Sequence, residues 1–131
     1  MRDFYFLTSR PLTAKECFDK LKEKIKNIQG TNSPDEIQLY ISGKWRSFLW
    51  FYNDRLTDYF AGFPDEELDE YKKQIPIIDP YINHFETHRS IDAKRVIAVL
   101  MQLYPELYID INDETEWQGT AQEYLDTEFD Y

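Results

Sequence analysis

Ile37-Gln38-Leu39-Tyr40-Ile41-Ser42-Gly43-Lys44-Trp45-Arg46-Ser47-Phe48-Leu49-Trp50-Phe51-Tyr52 is the stretch whose reading decides the fold. Ile37, Leu39 and Ile41 alternate with Gln38 and Tyr40, the period of two that a half-buried strand requires. Ser42-Gly43-Lys44 can turn the chain, and the unbroken run Phe48 to Tyr52 suits a strand at a sheet centre or one covered on both faces. A link this short predicts an antiparallel hairpin over 37–52.

Working outward, helices flank the hairpin. Upstream, Thr13-Ala14-Lys15-Glu16 has the spacing of a capping box, in which cap and third residue satisfy each other's orphan amides. Ala14, Cys17, Phe18, Leu21, Ile25 and Ile28 then recur at three and four, predicting a helix that Gly30 ends, with 31–35 as a turn. Before it, Phe4 to Leu7 reads as a short strand.

Downstream, Asn53 and Asp54 end the strand. Gly62-Phe63-Pro64 punctuates a loop ahead of a short helix opening at Asp65-Glu66-Glu67, whose acids suit the positive end of the amide dipoles. A second strong helix runs from a Ser90 cap to about Leu103, with Ile91, Ala93, Val96, Ile97, Leu100 and Leu103 as its packing stripe. Pro105 stops it. Leu107 to Ile111 reads as a strand, Asn112 to Glu116 as a turn, and Thr120 with Glu123 as a second capping box. The order is strand, helix, strand, strand, helix, helix, strand, helix. It predicts one α+β domain over 1–131: a small, mainly antiparallel sheet against two longer helices, with short additional helices.

Composition bounds what such a domain does. The 131 residues hold 42% apolar and 17% aromatic side chains, too many for a disordered chain. Cys17 is the only cysteine, so no intrachain disulfide forms and the composition suits a reducing compartment, with the cytoplasm as the expected location. No apolar run reaches the roughly 18 residues of a spanning helix, and the N-terminal run is too short for a signal peptide, so a membrane is not expected as a partner. The net charge of -10 opposes a general nucleic-acid binder, which needs clustered cations. Lys44, Trp45, Arg46 and Arg55 are the only basic and aromatic interleaving that answers that need.

The charge is uneven. Residues 1–65 carry ten basic and nine acidic side chains, whereas 66–131 carry five and sixteen. Within the latter, residues 106–131 hold nine acids and no Lys or Arg. These acids are interleaved with Tyr108, Trp117, Tyr124, Phe129 and Tyr131, a composition typical of a protein contact with aromatic anchors. The alternative is that the aromatics close the core while the acids face water. The contact reading singles out Tyr108, Asp110, Asp113, Glu114, Glu116, Trp117, Glu123 and Tyr124 as binding residues for a basic protein partner.

Catalytic and metal signatures are weak by comparison. His84-Phe85-Glu86-Thr87-His88 sets two imidazoles four apart, which on a helix would share one face, but the order His-x-Glu-x-His is not the zincin arrangement. Ordinary loop or helix-end histidines are expected. Asp110-x-Asn112-x-Glu114 opens like a calcium loop but has Thr115 where the turn requires Gly. Glu66, Glu67, Asp69 and Glu70 are abundant acids at a solvated helix start, not the apolar setting that tunes a general acid. Cys17 lies on an apolar helix face, and the four glycines are isolated, leaving no phosphate loop. No cofactor and no metal is expected.

The run Ala93-Lys94-Arg95-Val96-Ile97-Ala98-Val99-Leu100-Met101, the following Leu103-Tyr104-Pro105-Glu106-Leu107-Tyr108-Ile109-Asp110, and the terminal Gly119-Thr120-Ala121-Gln122-Glu123-Tyr124-Leu125 resemble small bacterial immunity proteins that neutralise a cognate polymorphic or contact-dependent toxin. The resemblance covers about the last third of the chain. It implies a cytoplasmic, non-enzymatic protein that blocks one toxin domain, often a nuclease. On that implication Asp113, Glu114 and Glu116 engage Lys or Arg of the toxin while Trp117 and Tyr108 anchor the contact. A regulatory or adaptor domain with a host protein partner is the alternative, and a small enzyme with dispersed acids the next.

Overall fold

A computed structural model describes residues 2–26, 28–42, 45–111 and 117–128 of the chain. Its frame is a seven-stranded sheet of β1 (Arg2–Thr8), β2 (Gln29–Ser33), β3 (Glu36–Ser42), β4 (Trp45–Arg55), β5 (Tyr81–Thr87), β6 (Tyr108–Ile111) and β7 (Gln118–Thr120), in the order β2-β3-β4-β5-β1-β6-β7. Every pairing is antiparallel. The helices are α1 (Ala14–Lys24), α2 (Leu56–Tyr59), α3 (Asp65–Gln74), α4 (Ser90–Leu103) and α5 (Ala121–Leu125). This is the α+β architecture that the alternation and the two helical stripes require, with β3 and β4 paired as the predicted antiparallel hairpin; Gly43 and Lys44 of its turn lie outside the described residues.

The two faces of the sheet are unequal. On the inner face Phe4, Phe6, Ile37, Leu39, Leu49, Phe51, Phe85, Ile109 and Ile111 bury against Cys17, Leu21, Val96, Ile97 and Leu100 of α1 and α4 and Tyr124 of α5. Each such side chain contributes about 1.5–3 kcal/mol when fully buried, so this layer supplies most of the stability. On the outer face a smaller cluster of Leu7, Leu56, Ile75, Ile82 and Tyr108 seats α2 and α3 over only part of the sheet.

Local chemistry explains where the elements stop. Thr13 accepts the Glu16 amide at 3.2 Å to start α1, but the helix closes at Lys24, with Ile25 extended at φ -107 and its amide still donating to Leu21. Ile25 and Ile28 then meet the core from extended chain, so the apolar spacing outlasts the helix. Gly30 is not a helix stop and 31–35 is not all turn: Gly30 and residues 31–33 fall in the edge strand β2, and only Pro34 and Asp35 turn. A Cβ on Gly30 would sit 2.2 Å from the Gln38 carbonyl oxygen, so glycine is there for close approach of β2 to β3. At α4 the cap is Arg89, without a side-chain bond, and Ser90 is already helical. At α5 both halves of the Thr120 and Glu123 capping box form.

Besides β2, two strands escape the sequence pattern. In β5 the buried inner residues are Asn83, Phe85 and Thr87, so polar groups occupy positions where an apolar alternation would be sought. Asn83 accepts the Asn53 amide at 2.9 Å, and Asn53 in turn accepts from the Leu12 amide at 3.0 Å and donates to its carbonyl at 2.7 Å. Asn53 has φ 52 and sits where the register of β4 against β5 shifts; it does not end β4, which runs on to Arg55. The three residues of β7 are the other strand missed.

Candidate functional site

The outer face collects the aromatic residues that the inner core does not use. β4 points Leu49 and Phe51 inward and Phe48, Trp50 and Tyr52 outward, so this strand is apolar on both sides while being covered on only one. Tyr52 is 43% exposed. Phe48 stacks on Trp50 (5.4 Å, 8°), Trp50 on His84 (5.1 Å, 22°), and His84 leans on Tyr5 (5.4 Å, 33°). In this row Trp50 and His84 have both ring faces occupied by neighbours. Their edges, not their faces, are left for a partner, which argues against a platform for stacking bases. Arg46 closes one end, donating to the Tyr40 hydroxyl at 2.9 Å and lying over the Tyr40 and Phe48 rings.

Acids rim the row. Asp3 and Glu86 are cross-strand partners, and His84 lies 3.2 Å from Asp3 and 4.0 Å from Glu86. Burial pulls the His84 imidazole below its ordinary pKa, with Asp3 opposing. Burial, then the hydrogen bond and charge of Asp3, push the Glu86 carboxyl up. One ligand atom from each of Asp3, His84 and Glu86 falls within 4.8 Å of the other two, and these are the residues that could hold a metal ion among those described. His88 is not part of the group. His84 is mid-strand, neither in a loop nor at a helix end, and four residues of extended chain span about 13 Å.

Beside the row, α3 and the segment that joins α2 to it roof a cavity of about 350 Å³ lined by Tyr5, Phe60, Phe63, Glu67, Leu68, Tyr71 and Asp110. The roof is held by the cluster around Leu56 and Ile75, by Leu56 donating its amide to Pro80 at 2.8 Å, and by Arg55, which donates to the Asp79 carbonyl at 2.8 Å and lies 4.1 Å over the Tyr81 ring. Inside, the Tyr71 hydroxyl donates to Asp110 Oδ2. Burial lifts the Asp110 carboxyl above the usual carboxylate range, and the Tyr71 bond acts in the opposite sense. Burial and then the Asp110 charge raise the Tyr71 phenol, and burial raises Tyr5.

The C-terminal residues singled out in the sequence are divided between the two faces. Tyr108 and Asp110 point to the outer face, 7% and 8% exposed, with the Tyr108 hydroxyl donating to Gln74 of α3 at 3.2 Å. Trp117 and Tyr124 belong to the inner layer, their rings 5.6 Å apart, and Tyr124 is fully enclosed beside Phe4. A surface anchor at Tyr124 is therefore corrected to a core residue. Glu123 is exposed and holds the α5 cap, where its bonds with Thr120 keep its carboxyl below the usual range. Asp113, Glu114 and Glu116, with the Asn112 to Glu116 turn, lie outside the described residues.

Other sequence candidates resolve simply. Cys17 is buried and burial drives its thiol up to about 12, as befits a core residue. Glu67 is the one acid of the α3 cluster that lines the cavity. Sequence reasoning missed Tyr5, Trp50, Phe60, Phe63 and Tyr71. The available signal was Phe48, Trp50 and Tyr52 at every second position, a complete aromatic stripe in addition to Leu49 and Phe51. Comparison of the chain with protein-family models, curated proteins and solved structures found no match.

Proposed function

We propose that the chain is an acidic protein-binding domain that captures a basic protein partner on the outer face of its sheet, and that it acts as an immunity protein inhibiting a cognate bacterial toxin such as a nuclease. The observation that carries this reading is the half-covered outer face: an aromatic row and cavity bordered by Asp3, Glu86, Glu67 and Asp110, in a chain of net charge -10. Aromatic anchors set among carboxylates supply buried contact area and steer cationic surfaces. The acids of 106–131 add charge of the same sign. The cytoplasm, where such a toxin acts, is the proposed location.

Co-expression with a toxin domain from a neighbouring gene tests the reading, and the consistent lack of such a gene opposes it. Growth should be restored, and purified toxin should lose activity at a one-to-one ratio; a toxin that stays active in stoichiometric mixture contradicts it. A host-protein adaptor would instead be found without a neighbouring toxin gene.

One observation favours a second reading, a small acid-base enzyme: Asp110 is a carboxyl raised by burial within a largely apolar cavity. Among the described residues the cavity is lined by no Ser, Cys, His or Lys, so covalent catalysis by those groups has no place there. Turnover of any substrate lost in Asp110→Asn would support this reading over capture.

A further inference from the structure

We propose that the cavity between the outer face and α3 receives a single arginine side chain of the basic partner. This rests on the outer face being the docking surface and adds the chemistry by which it selects. Asp110 is 8% exposed, and its Oδ2 accepts from Tyr71, while Oδ1 accepts nothing from any described residue and no described Lys or Arg pairs with it. A carboxylate withdrawn from water without a counter-charge is costly unless a cation arrives to match it. Tyr71 fixes the orientation of that carboxylate, leaving its second oxygen for the arriving group.

The walls suit a cation as well. Phe60 meets Tyr5 at 79°, Phe63 at 55° and Tyr71 at 55°, edge-on and tilted contacts rather than the near-parallel stacking of Phe48 on Trp50. Aromatic rings lining a cavity attract a positive group wherever one presents its face to it. Glu67 adds a second carboxylate, exposed on α3, and the pair excludes anions.

Arginine fits better than lysine. A planar guanidinium is weakly hydrated, stacks on rings, and has enough donors to serve Asp110 and Glu67 together, whereas an ammonium is a compact, strongly hydrated point charge. The volume of about 350 Å³ lies at the small end of ligand pockets, which span roughly 300–1,000 Å³, in keeping with one side chain.

The test is an NMR titration of the intact chain at low salt and neutral pH with N-acetyl-arginine amide, its uncharged isostere N-acetyl-citrulline amide, and N-acetyl-lysine amide. Arginine should give saturable shifts centred on Tyr5, Phe60 and Tyr71, binding at least tenfold more tightly than citrulline and more tightly than lysine. Asp110→Asn should lose at least tenfold and Glu67→Gln severalfold; Glu67 is exposed, so its variant keeps the test valid if the buried change perturbs folding. Equal binding of citrulline, unsaturable shifts spread along α3, or wild-type affinity in Asp110→Asn would overturn the proposal. Toxin neutralisation by Glu86→Lys separates the two levels. Lost neutralisation without arginine binding overturns the pocket alone, and arginine binding with normal neutralisation supports the pocket but overturns the docking face.

Discussion

Asp110 is the residue on which the functional reading turns, and its own energetics can be measured without a partner. It is faced by Tyr71 and Glu67 from α3, Tyr5 from β1 and Tyr108 from β6. The three phenols are raised and stay neutral in the acid-to-neutral range, and Glu67 lines the same cavity. Because burial raises its pKa, the folded chain holds the Asp110 proton more tightly than the unfolded chain does. Its contribution to stability therefore falls as pH rises from the ordinary carboxylate range through the raised value. Asp110→Asn should accordingly stabilise the free protein at pH 7, by on the order of 1 kcal/mol as is usual when a functionally strained position is relieved. Denaturant unfolding should show that gain shrinking toward pH 4; a net loss of stability at pH 7 would count against an uncompensated charge. Tyr71→Phe should cost about 1–3 kcal/mol by removing the donor of a buried carboxylate, and a double-mutant cycle should show a smaller cost in the Asp110→Asn background. Additive costs would mean the two groups are not coupled. Asp110 was legible in the sequence as an acid on a strand, but its partner 39 residues away was not, because pairing across elements leaves no local spacing.

At the scale of elements, the longer segments read correctly are those whose burial is apolar and periodic, while α3 and α5 are read from first-turn acids and a capping box. α1, α4 and the hairpin of β3 and β4 follow directly from their patterns. β5 does not, since Asn83 and Thr87 are buried through hydrogen bonds to Asn53 and Ser47, and no hydrophobic period records such a bond. That omission hid the site, because β5 carries His84 and Glu86 between β4 and β1. β2 was hidden for a different reason: its residues are all exposed, and it is held by backbone pairing and by the approach that Gly30 permits. Gly30→Ala should cost about 1–3 kcal/mol through a clash with the β3 backbone, with hydrogen-exchange protection lost in β2 and the facing half of β3 and retained in β1 and β5. Unchanged protection across β2 would contradict the close approach.

The whole molecule is two-sided. α1, α4 and α5 close the inner face into a core, and α1 carries Lys15, Lys20, Lys22 and Lys24 among its acids, with Lys15 paired to Asp19 at 2.7 Å and Lys20 and Lys24 to Glu23 at 3.8 and 3.6 Å. The outer face and α3 carry Asp3, Glu86, Glu67 and Asp110 beside the exposed Tyr52 and Phe63, and among the described residues no Lys or Arg forms an ion pair with these four acids. The charge asymmetry visible along the sequence is thus a partial image of an asymmetry between faces. Position in the chain could not say that Asp110 and Tyr124, fourteen residues apart, lie on opposite sides of one sheet. Capture of a basic partner by the outer face should slow with rising ionic strength, since exposed charges steer encounter over a Debye length of about 10 Å at 0.1 M salt. The most direct test is hydrogen exchange of the chain alone and in complex with the proposed toxin partner. Added protection is expected in β4, β5, α2 and α3, with α1 unchanged; protection gained on α1 and α4 instead, with the outer face unaltered, would contradict the account.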